Sequence, residues 1–368
     1  MNDLVIFFTE DVSLADWAQG GMLAREVALY QHLAKLGRRI QFVTYGGPGE
    51  AEIAARIPEI SVRFNARELP SGLYKRCLRW FPPRGHAFKS NQVSGSEIAL
   101  AAARRAGARF VARCGYLLSF VDEQTHGVDS RQARAARQLE KHVFGAADRV
   151  VVTTQVIAER VQENYRLPEE RIRVIPNYVE TDRFVPQKSQ ENSRLRIGFV
   201  GRLAWEKNLL ALLNAVAGLD VELVLVGAGP QKAELRAKAD TLDIKLSLPG
   251  RMDNTDLPTL LNTCDVFILP SFYEGHPKAL IEAMACGLAV IGTRVSGIAE
   301  IIQDGDNGLL AETDADSLRE VIRRAAGDAS LRAQLGKTAR EYALRHFSLE
   351  RVAAMELALL EELSGDHA

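Results

Sequence analysis

Two carboxylates, a histidine and a lysine crowd one stretch of the chain. It runs LPSFYEGHPKALIEAMACG, from Leu269 to Gly287. Glu274 and Glu282 are separated by seven residues. Either alone is ordinary: a carboxylate at a loop tip is a solvated charge or a cap, and one in the first turns of a helix complements its dipole. A second group lies upstream in GRLAWEKN, where Gly201, Arg202 and Lys207 put two cations beside a backbone-dense turn. Two fixed cations can stabilise negative charge without a metal ion.

The elements that must position these groups follow from pattern. Val266 to Leu269 is a short apolar run of β-formers and predicts a buried strand. Pro270 and Ser271 end it, and Gly275 and Pro277 break the loop that follows. From Lys278 the period is helical. Ala279, Ala283 and Cys286 share a face, Leu280 and Met284 flank it, and Gly287 fits a C′ position. Strand, loop and helix N-terminus make an anion site, because the first amides of a helix have no intrahelical acceptor. Leu195 to Val200 predicts the strand before Gly201. Val221 to Val226 predicts another, ending in Gly227-Ala228-Gly229. That G-x-G has Lys232 at the third glycine position, so it does not mark a dinucleotide site. Lys245 to Leu248 is a further strand, closed by Pro249-Gly250-Arg251.

The first half opens with a strand (Leu4 to Thr9), a polar Gly-rich loop (Asp16 to Gly21), a helix (Met22 to Leu36) and a strand (Arg39 to Tyr45). This is the βαβ start of a doubly wound domain. Gly20-Gly21, read as a strand-to-helix turn, is a second candidate phosphate site. Arg63 to Lys89 reads as the least regular part. It holds seven basic residues against Glu68, with Leu73, Tyr74, Leu78, Trp80 and Phe81 interleaved. This is a solvated basic face, or a site for an anionic acceptor or an anionic membrane surface. No nucleic-acid motif accompanies it. Ile98 to Ala106 predicts a helix and Arg109 to Ala112 a strand. Arg113, Cys114 and Tyr116 follow at the C-terminal strand end, where α/β sheets bind ligands. With Asn91 on the same rim they are the acceptor-side candidates; Cys114 could equally be packing. Arg131 to Phe144, Arg149 to Thr154, Gln155 to Tyr165 and Arg171 to Ile175 continue as helix, strand, helix and strand. Pro176-Asn177 breaks the pattern, and a polar segment to Asn192 reads as a linker. Phe347 to Leu363 is an amphipathic helix.

A chain of 368 residues suggests two domains, and 47% hydrophobic with 25% charged residues is ordinary globular composition. No apolar run reaches transmembrane length, and the N-terminus lacks the basic n-region of a signal peptide. Cys77, Cys114, Cys264 and Cys286 show no C-x-x-C spacing, which points to reduced thiols in a cytoplasmic protein without structural zinc. The first 177 residues carry six more basic than acidic residues, and the rest carry seven more acidic than basic. Such halves fit domains with different partners.

EGHPKALIEAMACG resembles the E-x7-E signature of the retaining glycosyltransferases of family 4, and GRLAWEKN resembles their cation-bearing turn. The resemblance implies an α/β chain with the GT-B fold, two doubly wound Rossmann-like domains facing an interdomain cleft. The domains would be 1–178 and 179–346, with helix 347–368 packing back on the first. It implies that Arg202 and Lys207 hold the donor diphosphate with amides near Gly275, His276, Pro277, Lys278, Ala279 and Leu280. Glu282 would bind the ribose and Glu274 would lie near the transferred sugar. Gly20, Gly21, Gly201 and Gly227 would border the donor, and the backbone at Arg251 and Met252 would meet the base. Segments Thr293 to Ile302 and Asp304 to Leu310 would complete the second sheet. Two departures stand out: His276-Pro277 where Phe-Gly is usual, and Cys114-Gly115 where the family often has His-Gly. Asp304-Gly305-Asp306 and Asp314-Ala315-Asp316 are read as a turn and a helix cap, so no metal and no cofactor are expected. The expected partners are a nucleotide-sugar donor and a carbohydrate or lipid-linked acceptor, with peripheral contact to an anionic membrane. The rival readings are a non-catalytic nucleotide-sugar-binding protein and a GT-B synthase acting on a soluble sugar.

Overall fold

The computed structural model describes residues 2–187 and 194–365. Residues 188–193, the end of the expected linker, and 366–368 lie outside them. The chain divides into two compact units, 1–176 with 352–368, and 177–351.

The first unit is built on seven parallel strands: β1 (Asn2–Phe7), β2 (Ile40–Val43), β3 (Ile60–Arg63), β4 (Gly85–Ser90), β5 (Arg109–Cys114), β6 (Arg149–Val152) and β7 (Ile172–Val174). Their order is β3-β2-β1-β4-β5-β6-β7. Its helices are α1 (Leu14–Gln19), α2 (Leu23–Lys35), α3 (Glu50–Ala54), α4 (Ser71–Trp80), α5 (Ser96–Ala106), α6 (Leu118–His126), α7 (Arg131–Ala146) and α8 (Gln155–Tyr165). The second unit holds β8 (Leu195–Val200), β9 (Val221–Val226), β10 (Lys245–Gly250), β11 (Val266–Leu269), β12 (Ala289–Thr293) and β13 (Leu309–Ala311). All pairs are again parallel, in the order β10-β9-β8-β11-β12-β13. Its helices are α9 (Leu209–Val216), α10 (Lys232–Thr241), α11 (Leu257–Leu261), α12 (Lys278–Ala285), α13 (Ala315–Gly327) and α14 (Ala329–Phe347). Helix α15 (Leu349–Gly365) ends the described chain, and its residues from Val352 belong to the first unit.

Both sheets reverse strand order at one point, between β1 and β4 in the first and between β8 and β11 in the second. Ligands of open α/β sheets bind at such points, outside the C-terminal strand ends. The strands there are apolar because helices cover both faces. All four residues of β11 are buried, as the run Val266–Leu269 predicts. Each large apolar side chain so buried contributes about 1.5–3 kcal/mol.

The structure corrects several expectations. Asp16 to Gly21 is no loop: Leu14–Gln19 is α1, started by a Ser13–Asp16 capping box. The turn at Gly20-Gly21 therefore joins two helices rather than a strand and a helix. Arg63 to Lys89 is not irregular, since it contains α4 and most of β4; Tyr74 and Leu78 form the buried stripe of α4. Helix α6 was not expected at all. In the second sheet the strands are β12 and β13, whereas Val295 to Ile301 folds into turns. Helix α15 starts two residues later than expected.

Lys89 and Glu356 make a buried ion pair that fastens α15 to β4, with side chains 1% and 3% exposed. Glu362 of the same helix holds Arg149 and Arg173, and Glu361 holds Arg38 at 3.1 Å.

Candidate donor site

Lys207 and Glu274 of the second unit meet at its sheet's switch point. Lys207 follows β8 and Glu274 follows β11, the two strands that flank the reversal. Lys207 Nζ lies 2.6 Å from Glu274 Oε1, and Ser271 Oγ donates to the same oxygen at 2.7 Å. The two loops are also tied by the backbone, Phe272 N–H donating to Glu206 O at 2.9 Å. Trp205 packs against Phe272 and Tyr273, each with ring centroids 6.0 Å apart. Arg202, in the same turn, is exposed and has no hydrogen-bond or ion-pair partner for its guanidinium among the described residues.

The loops are close because glycine lets their backbones touch. A Cβ at Gly227, which has φ +142°, would lie 1.8 Å from Gly201 O. At Gly229 it would lie 2.2 Å from Leu203 O, and at Gly297 2.2 Å from Gly275 O. The GRL turn, the GAGP turn and the Glu274-Gly275 turn are thus stacked main chain to main chain. Gly201 N–H donates to Val226 O and Gly227 N–H to Gly250 O, which brings the exposed Arg251 and the half-buried Met252 to the same strand ends.

Helix α12 begins at Lys278 with Pro277 as its N-cap and no side-chain cap. Proline suits this start, since it cannot continue a helix backwards. The amides of Lys278, Ala279 and Leu280 thus face the loop with the polarity that attracts anions. The Lys278 ammonium lies over the Tyr178 ring, 5.9 Å from its centroid. His276 is packed edge-on against Phe347 at 4.9 Å, and its carbonyl accepts from Asn177 at 2.6 Å. The ring is buried against Phe347. Glu282 is 1% exposed, with Oε1 accepting from Asn254 Nδ2 at 2.8 Å. Arg183 hydrogen-bonds Asn254 in turn.

In the first unit, Asn91 and Arg113 come together at the ends of β4 and β5, Arg113 Nη1 donating to Asn91 O at 3.1 Å. Asn91 also reaches Thr9, after β1, at 3.4 Å. Tyr116 is 43% exposed. Cys114 does not line an open site: it is fully buried and its thiol donates to Tyr116 O at 3.1 Å. Burial raises its pKa far above the usual thiol value. Gly20 closes α1 and Gly21 (φ +68°) leads to α2, whose N-cap Met22 offers no side-chain bond.

Ser271, Asn254, Arg183 and Gly297 were missed by sequence reasoning. Ser271, three residues before Glu274 in a loop, carried a readable signal; Asn254 and Arg183 reach Glu282 only through the fold. Asp304 accepts from Leu310 N–H and from Arg294, and Asp314 caps α13, so the first carboxylate of each Asp-x-Asp pair is engaged in the fold. Among the described residues, no three His, Cys, Asp or Glu side chains are placed to hold a metal ion.

Residues 180–342 match the family model for glycosyl transferases group 1, and residues 20–183 that for glycosyltransferase family 4. The D-inositol 3-phosphate glycosyltransferase of Corynebacterium jeikeium is 30% identical over 261 residues, 64% of this chain and 62% of that protein. This chain thus spans less than two thirds of that relative's length. The 2-deoxystreptamine glucosyltransferase of Streptomyces kanamyceticus is 26% identical over 90% of this chain and 96% of its own. Sucrose-phosphate synthase from Thermosynechococcus elongatus superposes with a TM-score of 0.81 at 20% identity, over 99% of both chains. Anabaena HepE, solved in complex with UDP and glucose, gives 0.76 at 17% identity over 98% of this chain and 99% of its own. At these identities the superpositions show the fold.

Proposed function

The chain belongs to the group 1 glycosyltransferases of GT-B fold, and from that premise we propose that it moves a hexosyl-type sugar from a UDP-sugar to a hydroxyl acceptor with retention of anomeric configuration. The observation that carries the reading is the Lys207–Glu274 pair at the switch point, beside the exposed Arg202 and the uncapped start of α12.

The donor diphosphate competes with Glu274 for Lys207 and gains Arg202 and the α12 amides. These groups stabilise the charge that develops as the bond from the anomeric carbon to the phosphate oxygen breaks. Its electron pair stays on the diphosphate. The acceptor oxygen forms its bond to the anomeric carbon on the same face, and its proton passes to the leaving phosphate oxygen. Glu274, released from Lys207 but held by Ser271, orients the sugar and steadies positive charge; it forms no covalent bond to it. Glu282, positioned by Asn254, is assigned to the ribose. No metal ion is needed, because the two cations and the amides carry the diphosphate charge.

Asn91, Arg113 and Tyr116 are the acceptor-side groups in this reading. No helix among the described residues is long and apolar enough to cross a membrane. Helix α4 and its end expose Leu73, Trp80 and Phe81 beside Arg76, Arg79 and Arg84. That surface supports a lipid-linked or envelope-polysaccharide acceptor met at an anionic membrane on the cytoplasmic side.

Incubating the pure protein with UDP-sugars and following UDP release separates an enzyme from a non-catalytic binder. Release is expected, with an axial anomeric configuration kept in the product by proton NMR. Binding without release would refute the catalytic reading.

A further inference from the structure

A cavity of about 680 Å³ opens in the helix layer of the first unit, between α6, α7 and α8. That size suits a small organic ligand. None of its lining residues belongs to the donor site or to the acceptor-side group. Helix α7 turns Arg134, Arg137, Gln138 and Lys141 toward it, spaced as one stripe of a helix. Helix α8 adds Arg160, and α6 adds Phe120 and Glu123. Facing stripes of packed helices are ordinarily apolar. Here four cations surround one space and Glu123 is the one carboxylate among its lining residues.

Two of the cations are engaged. Arg137 pairs with Glu123 and donates to Val128 O at 2.8 Å, and Arg160 lies over the Phe120 ring at 4.8 Å. Arg134 and Lys141 are exposed, and neither side chain has a hydrogen-bond or ion-pair partner among the described residues. Buried Leu117 and the rings of Phe120 and Tyr165 form the apolar floor. The walls are fixed from behind, since Glu140 accepts from both Ser119 N–H and Tyr165 Oη. The charge surplus, two uncommitted cations and an aromatic floor match an anion with several acceptor oxygens joined to a flat or apolar body.

We propose that this cavity binds a phosphorylated ligand, with Arg134 and Lys141 holding the phosphate and Phe120 and Tyr165 carrying the rest. The phosphate belongs to a soluble phosphorylated molecule or to a lipid headgroup; the chemistry recognised is the same.

The test uses the full chain in an Arg202→Ala/Lys207→Ala background, so that the donor-site cations do not contribute. Pyrophosphate is titrated calorimetrically at low salt, and vesicles of phosphatidylcholine with phosphatidic acid are tested by co-sedimentation. Binding of one pyrophosphate per chain, weakened at least ten-fold by adding Arg134→Ala/Lys141→Ala, assigns a soluble ligand. Vesicle binding alone, lost in the same variant, assigns a lipid phosphate. Arg134 and Lys141 are exposed, and an unchanged melting curve confirms folding. Absence of both bindings, or binding unaffected by Arg134→Ala/Lys141→Ala, overturns the proposal. UDP-sugar turnover, measured separately in Arg134→Ala/Lys141→Ala with Arg202 and Lys207 restored, tests the donor reading whatever this outcome.

Discussion

The two switch points of this molecule share one strand order and differ in what fills them. At the second, between β8 and β11, the loops are made of main chain. Gly227, Gly229 and Gly297 let carbonyls approach where no Cβ fits, and a few charged groups stand on that platform. At the first, between β1 and β4, side chains fill the ends: Asn91 on Thr9 and, from the neighbouring β5, Arg113 on the Asn91 carbonyl. A pocket built from backbone constrains glycine spacing and cation position tightly. A pocket built from side chains can exchange them freely. In the proposed reading the backbone platform meets the nucleotide diphosphate and the side-chain end meets the acceptor hydroxyl.

The strongest way to break this contrast is to remove the cations. Arg202→Ala/Lys207→Ala should reduce transfer by at least about 10³-fold, since one such donor is worth roughly 10²–10³. Circular dichroism and melting should change little. Near-normal turnover in the folded variant would remove the site from the second unit.

Next in size is the platform itself. Gly227→Ala places a Cβ 1.8 Å from Gly201 O in a conformation that alanine resists. A loss of about 3 kcal/mol or more in chemical denaturation is expected, by strain and backbone displacement. Gly37→Ala is the control, with positive φ but no atom within 4 Å of the added Cβ; it should cost roughly 1 kcal/mol. Equal losses would mean that the close approach contributes nothing.

A comparable effect is expected in the first unit from an ion pair. Glu356→Gln leaves Lys89 buried without its counter-charge, at a cost of about 3–5 kcal/mol. Replacing both residues by methionine should recover much of that loss. If Glu356→Gln melts like the parent, the pair does not fasten α15.

The smallest effect concerns Glu362. Burial alone would raise its pKa, but hydrogen bonds and charge from Arg173 and Arg149 outweigh this and lower it. A carboxylate with a depressed folded pKa adds stability above its unfolded pKa and loses it as pH falls through the folded value. Glu362→Gln should therefore cost about 1 kcal/mol at pH 7, screened by salt, and nothing once pH is well below the usual glutamate range near 4.3. A pH-independent difference would show that the charge is irrelevant.

Legibility in the sequence follows the same division. The strand Val266–Leu269, the helix start at Lys278 and the C′ glycine at Gly287 were readable to the residue, because apolar runs, proline and glycine act locally. The placement of Arg202, Lys207 and Glu274 after strands was readable from the apolar runs Leu195–Val200 and Val266–Leu269 that precede them. Asn254 behind Glu282 was not, since the two stand 28 positions apart and only the fold brings them together. Helix α1 was hidden by a glycine pair that closes it, and α4 by charges that mask a narrow buried stripe of Tyr74 and Leu78. The neutral Cys114 gave no sign of whether it faced ligand or core; burial decides it.

The most direct test of the central claim is the affinity of the protein for UDP, measured by calorimetry in the parent and in Arg202→Ala/Lys207→Ala. The account predicts one UDP per chain in EDTA-treated buffer and a loss of at least about 100-fold in the variant, from two charge-assisted contacts worth about 1.5–3 kcal/mol each. Binding of equal strength in both would place the diphosphate elsewhere and contradict it.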